Sequence, residues 1–195
     1  MYALIMAGGS GSRLNMGEKP LILIRDVPMI SYVIGAFSEA GFNPVVAASK
    51  KTPMTINWCR AQGIEFCRTE GNGFVEDMIS AVQILDESRP LFVSVSDIPC
   101  ITCEIIHSIA DAYDISGKDA CSTWVPSRLV SVRSGKIPYV ERIQGVEACP
   151  AGINILRGDL ITQPQEELQI LINDPRLALN INTRADLANV QKFFF

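Results

Sequence analysis

The sequence predicts a three-layer α/β/α domain, Rossmann-like in plan, with a mostly parallel central sheet. Short apolar runs alternate along the chain with segments whose apolar residues recur at helical spacing, which is typical of parallel sheets covered by helices on both faces. The 195 residues fit one domain over the whole length, 1–195. Because 48% of the residues are apolar and 19% are charged, the chain can bury a sizeable core and is not disordered.

The alternation is most regular in the first half of the chain. Short apolar runs predict strands at residues 2–6, 44–48, 64–68 and 91–96. Apolar residues at helical spacing predict helices at residues 30–37, 75–85 and around 105–109. Thr52 followed by Pro53 is typical of a helix start, so another helix is expected to run to about Ala61.

The pattern loosens beyond Ala120. We expect strands at residues 120–125 and 151–156, an irregular segment with hairpin character at 128–148, and helices near 166–172 and 185–194. Ligands in folds of this class bind beyond the carboxyl ends of the parallel strands. The loops that follow the strands are therefore where functional residues are expected.

Charge and hydropathy exclude several classes of protein. Acidic residues outnumber basic ones by 21 to 17, which argues against general binding of nucleic acids or anionic membranes. The longest charge-free runs have twelve residues, fewer than the roughly 20 that a transmembrane helix needs. The first residues lack the basic region of a signal peptide. We therefore expect a soluble, cytoplasmic protein without a transmembrane segment.

Histidine and cysteine usage narrows the chemistry further. His107 is the only histidine, so a His-rich zinc site is excluded, and its position predicts the outer face of its helix. The six cysteines include one Cys-x-x-Cys pair, Cys100 and Cys103, and no second pair completes a metal site. Reduced structural cysteines are the favoured interpretation, with redox chemistry or half a zinc site as the alternative.

A glycine-rich loop follows the first predicted strand. It reads Ala7-Gly8-Gly9-Ser10-Gly11-Ser12-Arg13, and Lys19 comes six residues later. Glycines let backbone N–H groups approach a phosphate closely, and two cations beside them suit a triphosphate. The loop lacks the Gly-Lys-Ser/Thr of a P-loop and the third glycine of the dinucleotide fingerprint. The alternative is a glycine turn with two solvated charges.

Asp97 stands at the carboxyl end of the predicted strand 91–96. An acidic side chain that faces a triphosphate needs a cation between them, most naturally Mg²⁺. The alternative is that Asp97 caps the helix that follows, although Thr102 could cap that helix without it.

The segment Thr69 to Asp77 follows the third predicted strand and opens a helix. Carboxylates in a first helical turn are favoured by the helix dipole, which by itself could account for the acidic residues. The functional interpretation is a purine site in which a carboxylate or backbone carbonyl accepts from guanine N1 and N2. The predicted nucleotide contacts in this segment are Thr69, Gly71, Gly73, Glu76 and Asp77.

Two later motifs contain further candidate substrate-binding residues. Gly152 and Asn154 belong to Pro-Ala-Gly-Ile-Asn at the start of a predicted strand, and Asn182 belongs to Asn-Ile-Asn-Thr before the last helix. Thr183 with Asp186 forms a near capping box, which alone could explain the second motif.

AGGSGSR followed by KPL resembles the signature of the nucleotidyltransferase superfamily. In that superfamily the glycine loop wraps a nucleoside triphosphate, an arginine and a lysine neutralise it, and an aspartate at a strand end holds the catalytic metal. The resemblance implies that Gly8, Gly9, Gly11, Arg13 and Lys19 bind the triphosphate and that Asp97 binds Mg²⁺. It also implies a metal or phosphate contact for an asparagine such as Asn182. A second metal-binding aspartate is often found late in related chains, where this sequence has only Asn182 or Asp186, so the metal count stays open.

Six motifs in order, GGSGSR, GEKPL, GNGFVEDM, VSVSD, PAGIN and NINT, resemble the archaeal GTP:adenosylcobinamide-phosphate guanylyltransferases. That resemblance implies transfer of GMP from GTP to a corrinoid phosphate, with release of pyrophosphate and no nucleic-acid partner. The molybdenum-cofactor guanylyltransferases share the glycine loop, the Asp-x-Pro strand end and NINT, and are the first alternative. Another nucleotidyltransferase or a non-catalytic GTP-binding regulator are the others, and a homodimer stays open.

Overall fold

The chain folds around a central, mostly parallel sheet with helices on both faces, as predicted. The structure, a computed structural model, describes residues 1–9, 16–130 and 139–193. The strands are β1 (Tyr2–Met6), β2 (Leu23–Ile24), β3 (Val27–Pro28), β4 (Asn43–Ser49), β5 (Phe66–Thr69), β6 (Pro90–Val95), β7 (Ala120–Pro126), β8 (Glu141–Ile143), β9 (Val146–Arg157) and β10 (Glu167–Leu171). The helices are α1 (Met29–Glu39), α2 (Pro53–Gln62), α3 (Phe74–Leu85), α4 (Cys103–Ser116) and α5 (Arg184–Phe193).

The strand order of the central sheet is β10-β7-β9-β6-β1-β4-β5, with β8 beside β9. The pairs β6–β1, β1–β4 and β4–β5 are parallel, so the carboxyl ends of these four strands lie on one edge of the sheet. β9 runs antiparallel between β6 and β7, and β10 is parallel to β7. The loops that follow β1, β4, β5 and β6 are thereby brought together at one edge.

Apolar side chains fill both sides of the sheet. On one face α1, α2 and α4 contribute to one apolar cluster that includes Phe92, whose ring lies edge-on to Phe37 and Phe42 at centroid distances of 5.3 and 4.9 Å. On the other face α3 contributes Ala81 and Val82 to a second apolar cluster. Among the helices of the described residues, none is long and apolar enough to cross a membrane.

The predicted hairpin is present in the second half of the chain. β8 and β9 pair through a turn in which Gln144 and Gly145 have φ values of +50° and +81°. β9 begins at Val146 rather than at the predicted residue 151. The last helix, α5, is confirmed as far as Phe193, whereas residues 131–138 and 194–195 of the predicted segments lie outside the described residues.

The helix predicted near residues 166–172 is wrong. This segment is β10, which pairs in parallel with β7. Leu168, Ile170 and Ile172 pack against the main apolar core, and Gln169 and Leu171 alternate with them along the strand. The strong helix propensities of Glu, Leu and Gln favour the wrong prediction, and packing against β7 overrides them.

A bulge in β9 depends on Gly152. Ser122 of β7 faces Asn154 while Trp124 faces Pro150, so β9 carries extra residues between these two pairs. Gly152 has a φ of +79°, which residues other than glycine rarely adopt. A Cβ at this position would lie 2.7 Å from Val95 Cγ2. This glycine is therefore required where β9 passes the end of β6.

We expect Gly152→Ala to lower the free energy of unfolding by about 1–3 kcal/mol, because it combines overpacking against Val95 with an unfavourable φ. Gly35→Ala is the matched control, since Gly35 lies inside α1 with nothing within 4 Å of an added Cβ. The control should be neutral or stabilising by up to about 1 kcal/mol. Urea denaturation measures both, and equal stabilities for the two variants would contradict the packing argument.

Candidate active site

A cleft of about 360 Å³ opens at the edge of the sheet where β1, β4, β5 and β6 end. Two glycine-containing loops, two lysines and two aspartates meet there, although they come from distant parts of the sequence. Seven of the predicted site residues line the cleft: Gly8, Gly9, Lys19, Gly71, Gly73, Asp77 and Asp97. The remaining part of the first glycine loop, Ser10, Gly11, Ser12 and Arg13, lies outside the described residues.

Lys19 and Asp97 form an ion pair on one side of the cleft. The Lys19 ammonium also donates to Asn182 Oδ1 at 2.9 Å, so a cation, a carboxylate and an amide oxygen meet at one point. The side chains of Lys19 and Asp97 are only 16% and 15% exposed. Because water is partly excluded, the charges interact more strongly than a surface pair would.

The structure argues against a helix-capping role for Asp97. α4 begins at Cys103 with Thr102 at its N-cap position, well beyond Asp97. The backbone of Asp97 instead accepts from Ile181 N–H at 3.0 Å, which fixes the end of β6 to the segment that carries Asn182. The carboxylate is therefore directed to the cleft.

The capping box that begins α5 decides which late side chain reaches the cleft. Asp186 Oδ2 accepts from the N–H groups of Asn182 and Thr183 at 3.0 and 2.8 Å, and Asp186 N–H donates to Thr183 Oγ1 at 3.2 Å. Asp186 is thus committed to the helix start. Asn182 is the residue of this motif whose side chain reaches Lys19.

The oxygen atoms around Asp97 suit one kind of metal site. Among the described residues there is no group of three or more His, Cys, Asp or Glu side chains that could hold a metal ion by itself. Mg²⁺ in phosphoryl-transfer sites is instead held by one or two carboxylates together with substrate phosphates. One carboxylate, with the Asn182 amide oxygen nearby, fits a metal that arrives with a nucleotide.

The loop between β5 and α3 is held in shape by Asp77. Asp77 is 7% exposed, and its Oδ1 accepts from the N–H groups of Gly71 and Asn72 at 2.9 and 3.3 Å. This loop-holding role is absent from the sequence prediction. The other carboxylate oxygen, Oδ2, lies on the side of Gly8, and a contact of Asp77 with guanine stays a prediction.

Asn182 contacts Lys19 from outside the lining of this cleft, and five further predicted site residues also lie outside it. Ala7 is buried and bonds through its N–H to Ala47, and Thr69 is buried with its Oγ1 3.4 Å from the Ala48 carbonyl oxygen. Glu76 is exposed, and its carboxylate lies against Gly73. Gly152 packs on Val95, which lines the cleft, and Asn154 lies in a separate groove with Ser122 and Glu167.

Ser49, which sequence analysis missed, lies between the two glycine loops. Its Oγ donates to the Gly8 carbonyl oxygen at 2.8 Å and accepts from Lys51 N–H at 3.1 Å. A Cβ on Gly8 would lie 3.1 Å from Ser49 Cβ, and one on Gly71 would lie 3.3 Å from Ser49 Oγ. Both loops therefore pack closely against one fully buried serine, and the φ of +79° at Gly71 favours glycine there.

Lys51 adds a cation to the cleft that the sequence analysis did not assign. Its side chain lines the cleft, and its ammonium donates to the Gly71 carbonyl oxygen. A sequence signal exists for Lys51, because it is the second residue after β4 and loops after parallel strands carry functional residues in this fold class. Neighbouring Lys50 points elsewhere and pairs with Glu70 on the exposed surface.

The cysteines and the histidine take no part in the cleft. All six cysteines are free thiols, and burial raises the pKa of Cys59, Cys67 and Cys121 to about 11 and that of Cys100 to about 12. Such thiols stay protonated and unreactive, as the sequence analysis favoured. His107 lies on the exposed face of α4, as predicted, with Nε2 3.0 Å from the Ala40 carbonyl oxygen.

The fold has counterparts among solved structures. The fold matches CMP:2-keto-3-deoxy-manno-octonic acid synthetase complexed with CTP with a TM-score of 0.74 and 17% identity, covering 99% of this chain and 97% of that one. A putative glucose-1-phosphate thymidylyltransferase from Bacillus anthracis gives 0.69 and 12%, covering 99% and 94%. At these identities the likeness shows the fold alone.

Sequence comparisons identify the family as well as the fold. The chain is 33% identical over 194 residues to the adenosylcobinamide-phosphate guanylyltransferase of Methanocaldococcus jannaschii, which covers 96% of this chain and 94% of that protein. Residues 3–157 match the MobA-like NTP transferase domain. Since this match takes in most of the chain, including every strand that borders the cleft, the protein belongs to the MobA-like NTP transferase family and is a nucleotidyltransferase.

Proposed function

We propose that the protein transfers GMP from GTP to adenosylcobinamide phosphate, giving adenosylcobinamide-GDP and pyrophosphate in cobamide assembly. The observation that carries the proposal is the meeting of Lys19, Asp97 and Asn182 beside two glycine loops, a site suited to a nucleoside triphosphate. The choice of guanine and of a corrinoid acceptor is supported by the named activity of the Methanocaldococcus relative.

The reaction needs alignment and charge neutralisation more than proton transfer. A phosphate monoester has its second pKa near 6, so the attacking oxygen of the acceptor is already ionised at neutral pH. No histidine lines the described part of the cleft, in keeping with a reaction that needs no general base. The acceptor oxygen attacks the α-phosphorus of GTP in line with the departing pyrophosphate, and the protein supplies position and positive charge.

Each charged residue has a proposed role. Lys19 donates to an oxygen of the α-phosphate, where negative charge builds up during attack. Arg13 and the amides of the glycine loop hold the β- and γ-phosphates. Asp97, with Asn182 beside it, would hold Mg²⁺, which when bound neutralises phosphate charge and fixes the phosphate geometry.

The layout of the sheet supports a place for the base. With the α-phosphate beside β6, the ends of β4 and β5 lie roughly 10–14 Å away, because strands are spaced by about 4.8 Å. The ribose and base of a nucleotide span such a distance. The Lys51 ammonium and Asp77 Oδ2 lie at that end and form a donor and an acceptor, which complement guanine O6 and its N1–H and N2–H groups.

The match to a MobA-like domain favours one second candidate, guanylyl transfer to the molybdenum cofactor. A GTP-binding regulator without turnover is less well supported, because Lys19 and Asp97 are both present and in contact. The proposal includes a cytoplasmic location, where GTP is made and used.

The acceptor distinguishes the two candidates. Purified protein with GTP and Mg²⁺ should release pyrophosphate with cobinamide phosphate and not with molybdopterin or sugar 1-phosphates. Turnover with molybdopterin and none with the corrinoid would assign the second candidate. Binding of GTP without turnover on any of these acceptors would favour the regulator.

Lys19→Ala and Asp97→Asn should each keep the fold but lose most guanylyl transfer. A charge-assisted contact to phosphate contributes about 1.5–3 kcal/mol, which corresponds to a roughly 10- to 150-fold loss of kcat/KM for Lys19→Ala. Lys118→Ala is the control, because Lys118 pairs with the exposed Glu166 at the start of β7. Wild-type kcat/KM in both site variants, or activity that survives chelation of Mg²⁺, would refute these roles.

Lys51→Met should weaken the preference for GTP over 2,6-diaminopurine riboside triphosphate, which carries an amine in place of O6 and lacks the N1 proton. An unpaired polar group in a base pocket costs about 1–3 kcal/mol, so the ratio of dissociation constants should shrink about 5- to 150-fold. Lys50→Met is the control, since it removes the same charge one residue earlier from an exposed ion pair. Equal weakening of both nucleotides would instead mean that Lys51 contacts phosphate.

A further inference from the structure

Glu18 and Lys19 are neighbours in sequence whose side chains hold different parts of the fold. Lys19 reaches Asp97 at the end of β6. The Glu18 carboxylate turns to the N-terminus of α2, where Oε1 accepts from Met54 N–H and Oε2 from Thr55 N–H and Thr55 Oγ1, all at 2.7 Å. Three short bonds to one carboxylate make this a well-defined anchor.

The N-terminus of α2 needs such a partner. Its first N–H groups have no acceptor within the helix, and Thr52 at the N-cap position makes no side-chain bond to them. Thr52 Oγ1 accepts from Ser49 N–H at 3.0 Å instead. A carboxylate from a distant segment therefore caps α2, and the helix dipole favours its negative charge.

The backbone between the two anchors is short and stiff. Leu21 N–H donates to the Glu18 carbonyl oxygen at 3.0 Å and Ile22 N–H to that of Lys19 at 3.2 Å, which closes a tight turn around buried Pro20. Pro20 also fixes its own φ. Fixing the Glu18 side chain therefore restricts the position of the Lys19 backbone, from which the lysine side chain extends.

We infer that Glu18 is a positioning residue for guanylyl transfer, which acts by holding the backbone of Lys19 so that its ammonium reaches the cleft. A lysine side chain has several freely rotating bonds, and fixing its origin reduces the conformations it must give up when it contacts phosphate. The inference rests on the proposed role of Lys19. Glu18 thus affects the reaction through Lys19, while its own carboxylate is bonded to the N-terminus of α2.

The first experiment needs no acceptor substrate. Acetylation of lysines with acetic anhydride, followed site by site by mass spectrometry, compares wild type with Glu18→Gln, a variant that keeps the side-chain size. Lys19, which is 16% exposed and paired, should be modified several times faster in the variant, while Lys118, on another edge of the sheet, should be unchanged. Unchanged modification of Lys19 would overturn the inference.

A double-mutant cycle on kcat/KM tests the link to catalysis. Glu18→Gln should lower kcat/KM about 10- to 100-fold in the wild-type background. In the Lys19→Ala background the same change should cost less than about twofold, because the residue through which Glu18 acts is gone. The melting temperature should fall equally in both backgrounds. Equal activity losses in both would show that Glu18 only stabilises the fold, and would overturn the inference.

Thr55→Val is the matched control, since it removes the bond from Thr55 Oγ1 but leaves both backbone bonds to Glu18. It should destabilise the protein and keep near-wild-type kcat. Loss of kcat equal to that of Glu18→Gln would contradict the inference. If no acceptor supports turnover in wild type while Glu18→Gln still exposes Lys19, the proposed function fails and the positioning of Lys19 by Glu18 stands.

Discussion

The contact of Lys19 with Asp97 and Asn182 is the interaction on which the site depends. It joins the segment after the glycine loop, the end of β6 and the segment before α5. A carboxylate and an ammonium that are mostly shielded from water would be costly to leave unpaired, so each holds the other at the cleft. The ordinary packing of the sheet brings these segments near, and the charges fix where they meet.

A second set of contacts sets the width of the cleft. Fully buried Ser49 bonds to the Gly8 carbonyl oxygen and touches the space beside Gly71, so the loops after β1, β4 and β5 meet around one hydroxyl. The Asp77 carboxylate holds the β5–α3 loop in shape by accepting from two of its backbone N–H groups. Hydrogen bonds to the backbone thus shape the part of the cleft beside β4 and β5, where the base is proposed to bind. The charges of Lys19 and Asp97 shape the part beside β6, where the phosphates are proposed to bind.

The features that the sequence predicts well depend on local patterns. Buried strands are visible in the sequence as apolar runs. Asp97 and the glycine loops follow such runs, so they are predicted to lie at strand ends. The sequence predicts a helix in place of β10 because Glu, Leu and Gln favour helices locally. The alternating burial of this segment arises from its pairing with β7. The contacts of Glu18, Ser49 and Lys51 bridge 20 to 41 residues and leave no local pattern, so only the folded chain reveals them.

The contacts of Lys19 also have a consequence for synthesis on the ribosome. Its partners lie 78 and 163 residues further along the chain, and the second of them is fixed by the cap of the last helix. A nascent chain that already contains both glycine loops and the first six strands therefore lacks the amide oxygen that completes the cluster. Because contacts so distant in sequence form late, the cleft acquires its full set of charges only when nearly the whole chain has emerged.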